Sequence, residues 1–100
     1  VYASDLLCCG QVTPTSGDNF TNFKYTVRWT GSSNPPHAYV HIDGGQGVMM
    51  TLYDFTSGSY KYEYYTRLGS GNHNFYFTDD SEGEGGRDPN TGVYVGPQVE

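Results

Sequence analysis

Two adjacent cysteines, three histidines and one acidic tract hold most of the side chains in this 100-residue chain that could do chemistry. Cys8 and Cys9 do not fit a zinc site, because structural sites need about four ligands and place two or more residues between neighbouring thiolates. Three states stay open for the pair. It could close a small strained ring between neighbours, form bridges to adjacent subunits, or remain as two thiols buried as small hydrophobes. His37, His41 and His73 have no metal-like spacing, and each reads as hydrogen-bonded or solvated. Asp79, Asp80, Glu82, Glu84 and Asp88 could collect oxygen ligands for calcium. Gly85 comes too early for a helix–loop–helix calcium site and no glutamate closes the loop, so a solvated loop is the favoured reading. No Gly-x-Ser-x-Gly elbow, His-Glu-x-x-His pair or phosphate-binding glycine loop occurs, which points to a non-enzymatic protein that needs no cofactor. Asn19-Phe20-Thr21 is a glycosylation sequon in a turn-rich stretch, making Asn19 a candidate glycan acceptor.

The elements that must position these residues are strands. Phe23, Tyr25, Val27 and Trp29 alternate with Lys24, Thr26 and Arg28, which is the pattern of a strand with one face in a core. The same period of two predicts strands at Gln11–Thr13, His37–Ile42, Val48–Asp54, Tyr60–Arg67, His73–Phe77 and Gly92–Val95. Pro14 ends the first of these, and Asp43-Gly44-Gly45 reads as a hairpin turn. No stretch carries a helical period of useful length. Seven strands with turn signals at this spacing predict an antiparallel β-sandwich, with Val27, Trp29, Tyr25, Val40 and Ile42 in its core.

Length allows one domain. Aromatic residues reach 16% with ten tyrosines, Gly reaches 14, and only 16% of residues are charged, a composition suited to an extracellular or cell-surface β module. The net charge is −6 and the five basic residues are scattered, which argues against nucleic acid and against an anionic membrane surface. The longest apolar run, Leu6-Leu7-Cys8-Cys9, is far too short to span a bilayer. The start at Val1, without Met, gives the expectation of a mature chain from which a secretory signal has been removed.

Several segments together carry a resemblance. Thr13-Pro14-Thr15-Ser16-Gly17, the strand Phe23–Trp29, Val40-His41-Ile42-Asp43-Gly44, Leu68–Phe77, Arg87-Asp88-Pro89 and Gly96-Pro97 resemble immunoglobulin-like β-sandwich repeats of bacterial and archaeal surface and secreted proteins. The resemblance covers roughly residues 12–97 and implies a spacer, an adhesin or a fibre subunit. It does not account for residues 1–11, an apolar segment where a linker should be polar. That segment is expected to be an extended assembly strand, separate from a sandwich of residues 12–100, with Gly10 as hinge. Donated to an open sheet edge of a neighbour, it would supply Val1, Ala3, Leu7 and Cys9, or Tyr2, Leu6 and Cys8, to that neighbour's pockets. A head-to-tail contact of this kind propagates as a homopolymer, so the expected function is a fibre subunit. The alternative is a carbohydrate-binding or spacer module. In it Tyr39, Tyr53, Tyr65 and Tyr76, out of phase with the core, would stack on surface glycans.

Overall fold

The computed structural model describes residues 6–31, 36–56, 58–79, 86–89 and 91–100. Over these residues it is all-β and sandwich-like, with ten strands among them rather than seven. These are β1 (Leu6–Thr13), β2 (Ser16–Gly17), β3 (Phe23–Thr30), β4 (Ala38–Ile42), β5 (Val48–Met49), β6 (Thr51–Thr56), β7 (Ser59–Thr66), β8 (Gly71–Asp79), β9 (Arg87–Asp88) and β10 (Tyr94–Val99). One sheet has the order β1-β3-β7-β6 and the other β2-β10-β8-β4-β5, with β9 pairing β8. All pairings are antiparallel except that of β2 with β10.

Three features raise the strand count. Ser16–Gly17 and Arg87–Asp88 are two-residue strands, too short for a period of two to register. The stretch expected as one strand from Val48 to Asp54 is divided at Met50. Val48–Met49 pairs with β4 in one sheet and Thr51–Thr56 with β7 in the other, while Met50 is buried between them. The last strand also runs past Val95 to Val99, through Gly96 and Pro97. Proline cannot donate to a ladder, so it is accepted inside a sheet where the ladder is already broken. The register of β10 against β8 shifts between Val95 and Gln98, and Pro97 sits fully buried in that shift.

The alternating strands deliver the core they promised. Phe23, Tyr25, Val27 and Trp29 are buried, as are Val40, Phe75 and Phe77 from the opposite sheet, while Ile42 is partly buried against them. The Tyr25 and Phe75 rings meet edge-on across the two sheets with centroids 5.2 Å apart. Each large apolar side chain removed from water stabilises the fold by about 1.5–3 kcal/mol, so this cluster is what closes one sheet on the other.

β1 carries the structural account of the leader. Leu6 pairs with Thr30 and Thr13 with Lys24, so this strand is the edge of the chain's own first sheet. The boundary drawn between residues 11 and 12 falls inside β1. Leu7 and Val12 are both buried, although an unbroken period of two would put residues 7 and 12 on opposite faces. The register jumps between Cys8 and Gln11, leaving Cys9 and Gly10 opposite Val27 alone. This bulge resets the phase: Cys8 is half-buried and Cys9 exposed.

Candidate functional site

The bulge is where the sequence placed its chemistry. Cys9 takes φ = 66°, the left-handed region that residues other than Gly seldom adopt. Cys8 and Cys9 are bonded to each other, so of the three states left open by the sequence the isolated chain holds the ring between neighbours. Val1, Tyr2 and Ala3 of the expected assembly segment lie outside the described residues.

Gly10, expected as a hinge, is packed tight. Its N–H donates to Asp88 Oδ2 at 2.8 Å, and a Cβ at this position would collide with the Phe77 ring. Asp88 is 8% exposed and turned inward, and its Oδ1 accepts the Tyr94 hydroxyl at 2.7 Å. It is therefore committed to joining β1, β9 and β10, not to the acidic tract. Burial, then the bond to Asp88, pushes the Tyr94 hydroxyl up to about 12. Of the other calcium candidates, Asp79 ends β8 and its N–H donates to the Gly86 carbonyl at 3.0 Å. Asp80, Glu82 and Glu84 lie outside the described residues.

Outward side chains of β1, β3, β6 and β7 form a groove of about 210 Å³ on the outer face of the first sheet. Cys9 and Gln11 form one wall and Tyr53 the other, with Thr26, Arg28 and Lys61 between them. Lys61 stands opposite Arg28 in the β3–β7 register and opposite Asp54 in the β6–β7 register. The Arg28 Nη2 donates to the sulfurs of Cys8 (3.5 Å) and Cys9 (3.4 Å), both weak acceptors. Its Nε is buried and has no acceptor among the described residues. Beside the groove, Lys24 pairs with Glu63 at 3.7 Å and lies over the Tyr53 and Tyr65 rings, 5.2 and 5.9 Å from their centroids. Three of the chain's five basic residues thus share one face of an acidic protein. Spacing along β3 puts Lys24 and Arg28 on one face, but that Lys61 joins them follows only from the pairing of β3 with β7.

The tyrosines are distributed differently. Tyr76, on the outer face of the second sheet, lies parallel to His41 at 4.3 Å, and the Arg87 guanidinium carbon is 4.2 Å from the Tyr76 centroid. The Tyr76 ring is therefore already stacked within its own sheet. Tyr53 and Tyr65 are exposed and Tyr39 is half-buried. At the far edge of the first sheet, all of β6 is exposed, including Leu52 at 40% and Phe55 at 64%.

His41 and His73 are hydrogen-bonded. His41 contacts the Gly45 carbonyl and the Thr78 hydroxyl at 3.0 and 2.9 Å. His73 faces two acceptors, Asp43 Oδ2 at 2.6 Å and the Gly69 carbonyl at 2.7 Å. Both bonds form together only when both ring nitrogens carry protons. The Gly69 carbonyl first, and then Asp43, hold His73 above its ordinary value of 6.5. A raised value means that the stabilisation is complete below about 6.5 and is lost as pH rises through the folded-state value. Because Asp43 is 45% exposed, solvent screening limits the effect to about 1 kcal/mol or less. A proton NMR titration should place the His73 midpoint above 6.5 and lower it in Asp43→Asn. A wild-type midpoint at or below 6.5 would show that the clasp does not hold the charged ring.

Asn19 is exposed in a turn fastened by Asp18, whose Oδ1 accepts from the Phe20 N–H (2.9 Å) and the Thr21 hydroxyl (3.1 Å). These bonds hold the Asp18 carboxyl below its ordinary value. The chain matches no model of a known protein family, and no curated protein matches it.

Proposed function

We propose that this chain is a non-enzymatic structural subunit of an extracellular fibre, polymerising head to tail by insertion of its N-terminal strand into the neighbouring subunit's sandwich. The observation that carries this reading is the place of β1 at the edge of its sheet, joined to β2 through only Pro14 and Thr15. Its ladder with β3, and the seats of Leu7 and Val12, have the same chemistry whether β1 comes from the same chain or from another copy. Exchange of an identical element is a low-cost route to assembly, and when it runs head to tail without closing it gives a filament. The exposed apolar β6 edge adds a second surface for contact between copies. The strand order supports an immunoglobulin-like sandwich: β1-β3-β7-β6 follows the ABED sheet of such domains, and β10-β8-β4-β5 the GFCC′ sheet.

Thr13 and Lys24 face each other across β1 and β3, so Thr13→Cys with Lys24→Cys reports which chain supplies the strand. Fibres viewed by electron microscopy should dissociate into a ladder of covalent oligomers on a gel without added thiol. Covalent monomers alone, or no fibres, would overturn strand exchange.

A further inference from the structure

The groove on the first sheet gathers positive charge, and its other walls narrow the class of ligand it would suit. Arg28 and Lys61 have no carboxylate partner among the described residues. Asp54, opposite Lys61 in register, makes no ion pair with it, and Glu63 is taken by Lys24. Two cations on adjacent strands match the several acceptor sites of a carboxylate. At about 210 Å³ the groove is below the roughly 300–1,000 Å³ of clefts that take drug-sized ligands, so it suits one residue of a longer chain. Beside Cys9 and Val27, the remaining lining is a phenol ring at Tyr53, a hydroxyl at Thr26 and an amide at Gln11. An aromatic wall beside neutral donors and acceptors is what a pyranose needs, since its ring carries both C–H and hydroxyl faces.

We propose that this groove binds an acidic sugar residue of the uronate class within a polysaccharide. Arg28 and Lys61 take the carboxylate, Tyr53 covers one face of the ring, and Thr26 and Gln11 meet its hydroxyls. The rigid Cys8–Cys9 ring fixes the bulge that forms the opposite wall and occupies one arm of Arg28, leaving the rest of the guanidinium for the ligand. The site is distinct from the assembly reading. β1 lies on β3 whichever subunit supplies it, so the groove exists with or without fibres.

Oligogalacturonate is the probe, with neutral dextran and polyglutamate as controls, titrated into the isotopically labelled full chain. Amide shifts should move with oligogalacturonate at Gln11, Thr26, Arg28 and Tyr53, while the neutral dextran leaves them still. Affinity should fall as salt rises. Lys61→Met, at an exposed position, should weaken binding about tenfold, the size of one hydrogen bond to a charged group, with melting temperature unchanged. Tyr53→Ala should weaken oligogalacturonate without changing any residual response to polyglutamate. Equal response to dextran and oligogalacturonate, shifts located elsewhere, or affinity indifferent to Lys61→Met would each overturn the site. Tighter binding of polyglutamate than of oligogalacturonate would overturn the sugar and assign the groove to acidic peptide.

Discussion

Gly10→Ala is expected to destabilise the fold by about 2–4 kcal/mol, combining an overpacking cost of about 1–3 with about 1 for a disturbed hydrogen bond. The new methyl group has no free space: the Phe77 ring is fully buried, and Asp88 Oδ2 lies 2.8 Å from the added Cβ. Either Phe77 leaves its place in the core or β1 lifts from the second sheet and loses the bond from the Gly10 N–H to Asp88. Urea unfolding measures the shift in midpoint directly. A hinge gives the opposite sign, because Ala at an unstrained, uncrowded Gly position gains about 0.4–1 kcal/mol through the unfolded chain. The sign of one measurement therefore separates a tether from a packed strand. Exchange of β1 between copies does not escape this test, since the donated Gly10 meets the same Phe77 and Asp88 in the acceptor.

How far the sequence could be read follows from where long-range contacts decide the outcome. Phe23 to Trp29 alternate without interruption, and every odd-numbered residue in that span is buried. Phe75 and Phe77 behave the same way in β8. Alternation predicts burial wherever the ladder is regular, because each residue turns the next to the other face. It fails at the bulges. Nothing local marks residues 9 and 10 as the pair opposite Val27, so the inward row of β1 could not be assigned, and Gly10 looked like a hinge. The local sequence at Pro97 argues against a strand that tertiary pairing nonetheless continues. The groove was illegible for a related reason. Arg28 and Lys61 are 33 residues apart in the chain yet face each other in register. The adjacent cysteines stand in the wall of this groove, but nothing in their local sequence shows what stands around them.

Asp88→Ala is expected to cost about 2–4 kcal/mol, because it strands two donors at once. The N–H of Gly10 and the hydroxyl of Tyr94 both end on this carboxylate, one from β1 and the other from β10. A donor left without an acceptor costs about 1–3 kcal/mol when buried, and these two partly buried donors fall toward the lower end of that range. Asp88→Asn should lose less, since an amide oxygen can still accept one of the two and the amide nitrogen can donate to the tyrosine oxygen. Combining Asp88→Ala with Tyr94→Phe isolates the pair. With the hydroxyl gone the alanine strands one donor fewer, so the double variant should be more stable than the sum of the single losses, by about 0.5–3 kcal/mol. The alkaline limb gives an independent reading. Tyr94 is held up at about 12 in the fold against 10 in the open chain, so the unfolded state releases this proton first. Stability conferred by the protonated hydroxyl is complete below about 10 and is lost as pH rises through about 12. Thermal melts above pH 10 should therefore fall less steeply in Tyr94→Phe than in the wild type. Strict additivity of the two substitutions, together with identical alkaline slopes, would mean that β1, β9 and β10 are joined by packing alone and that Asp88 is not their common tie.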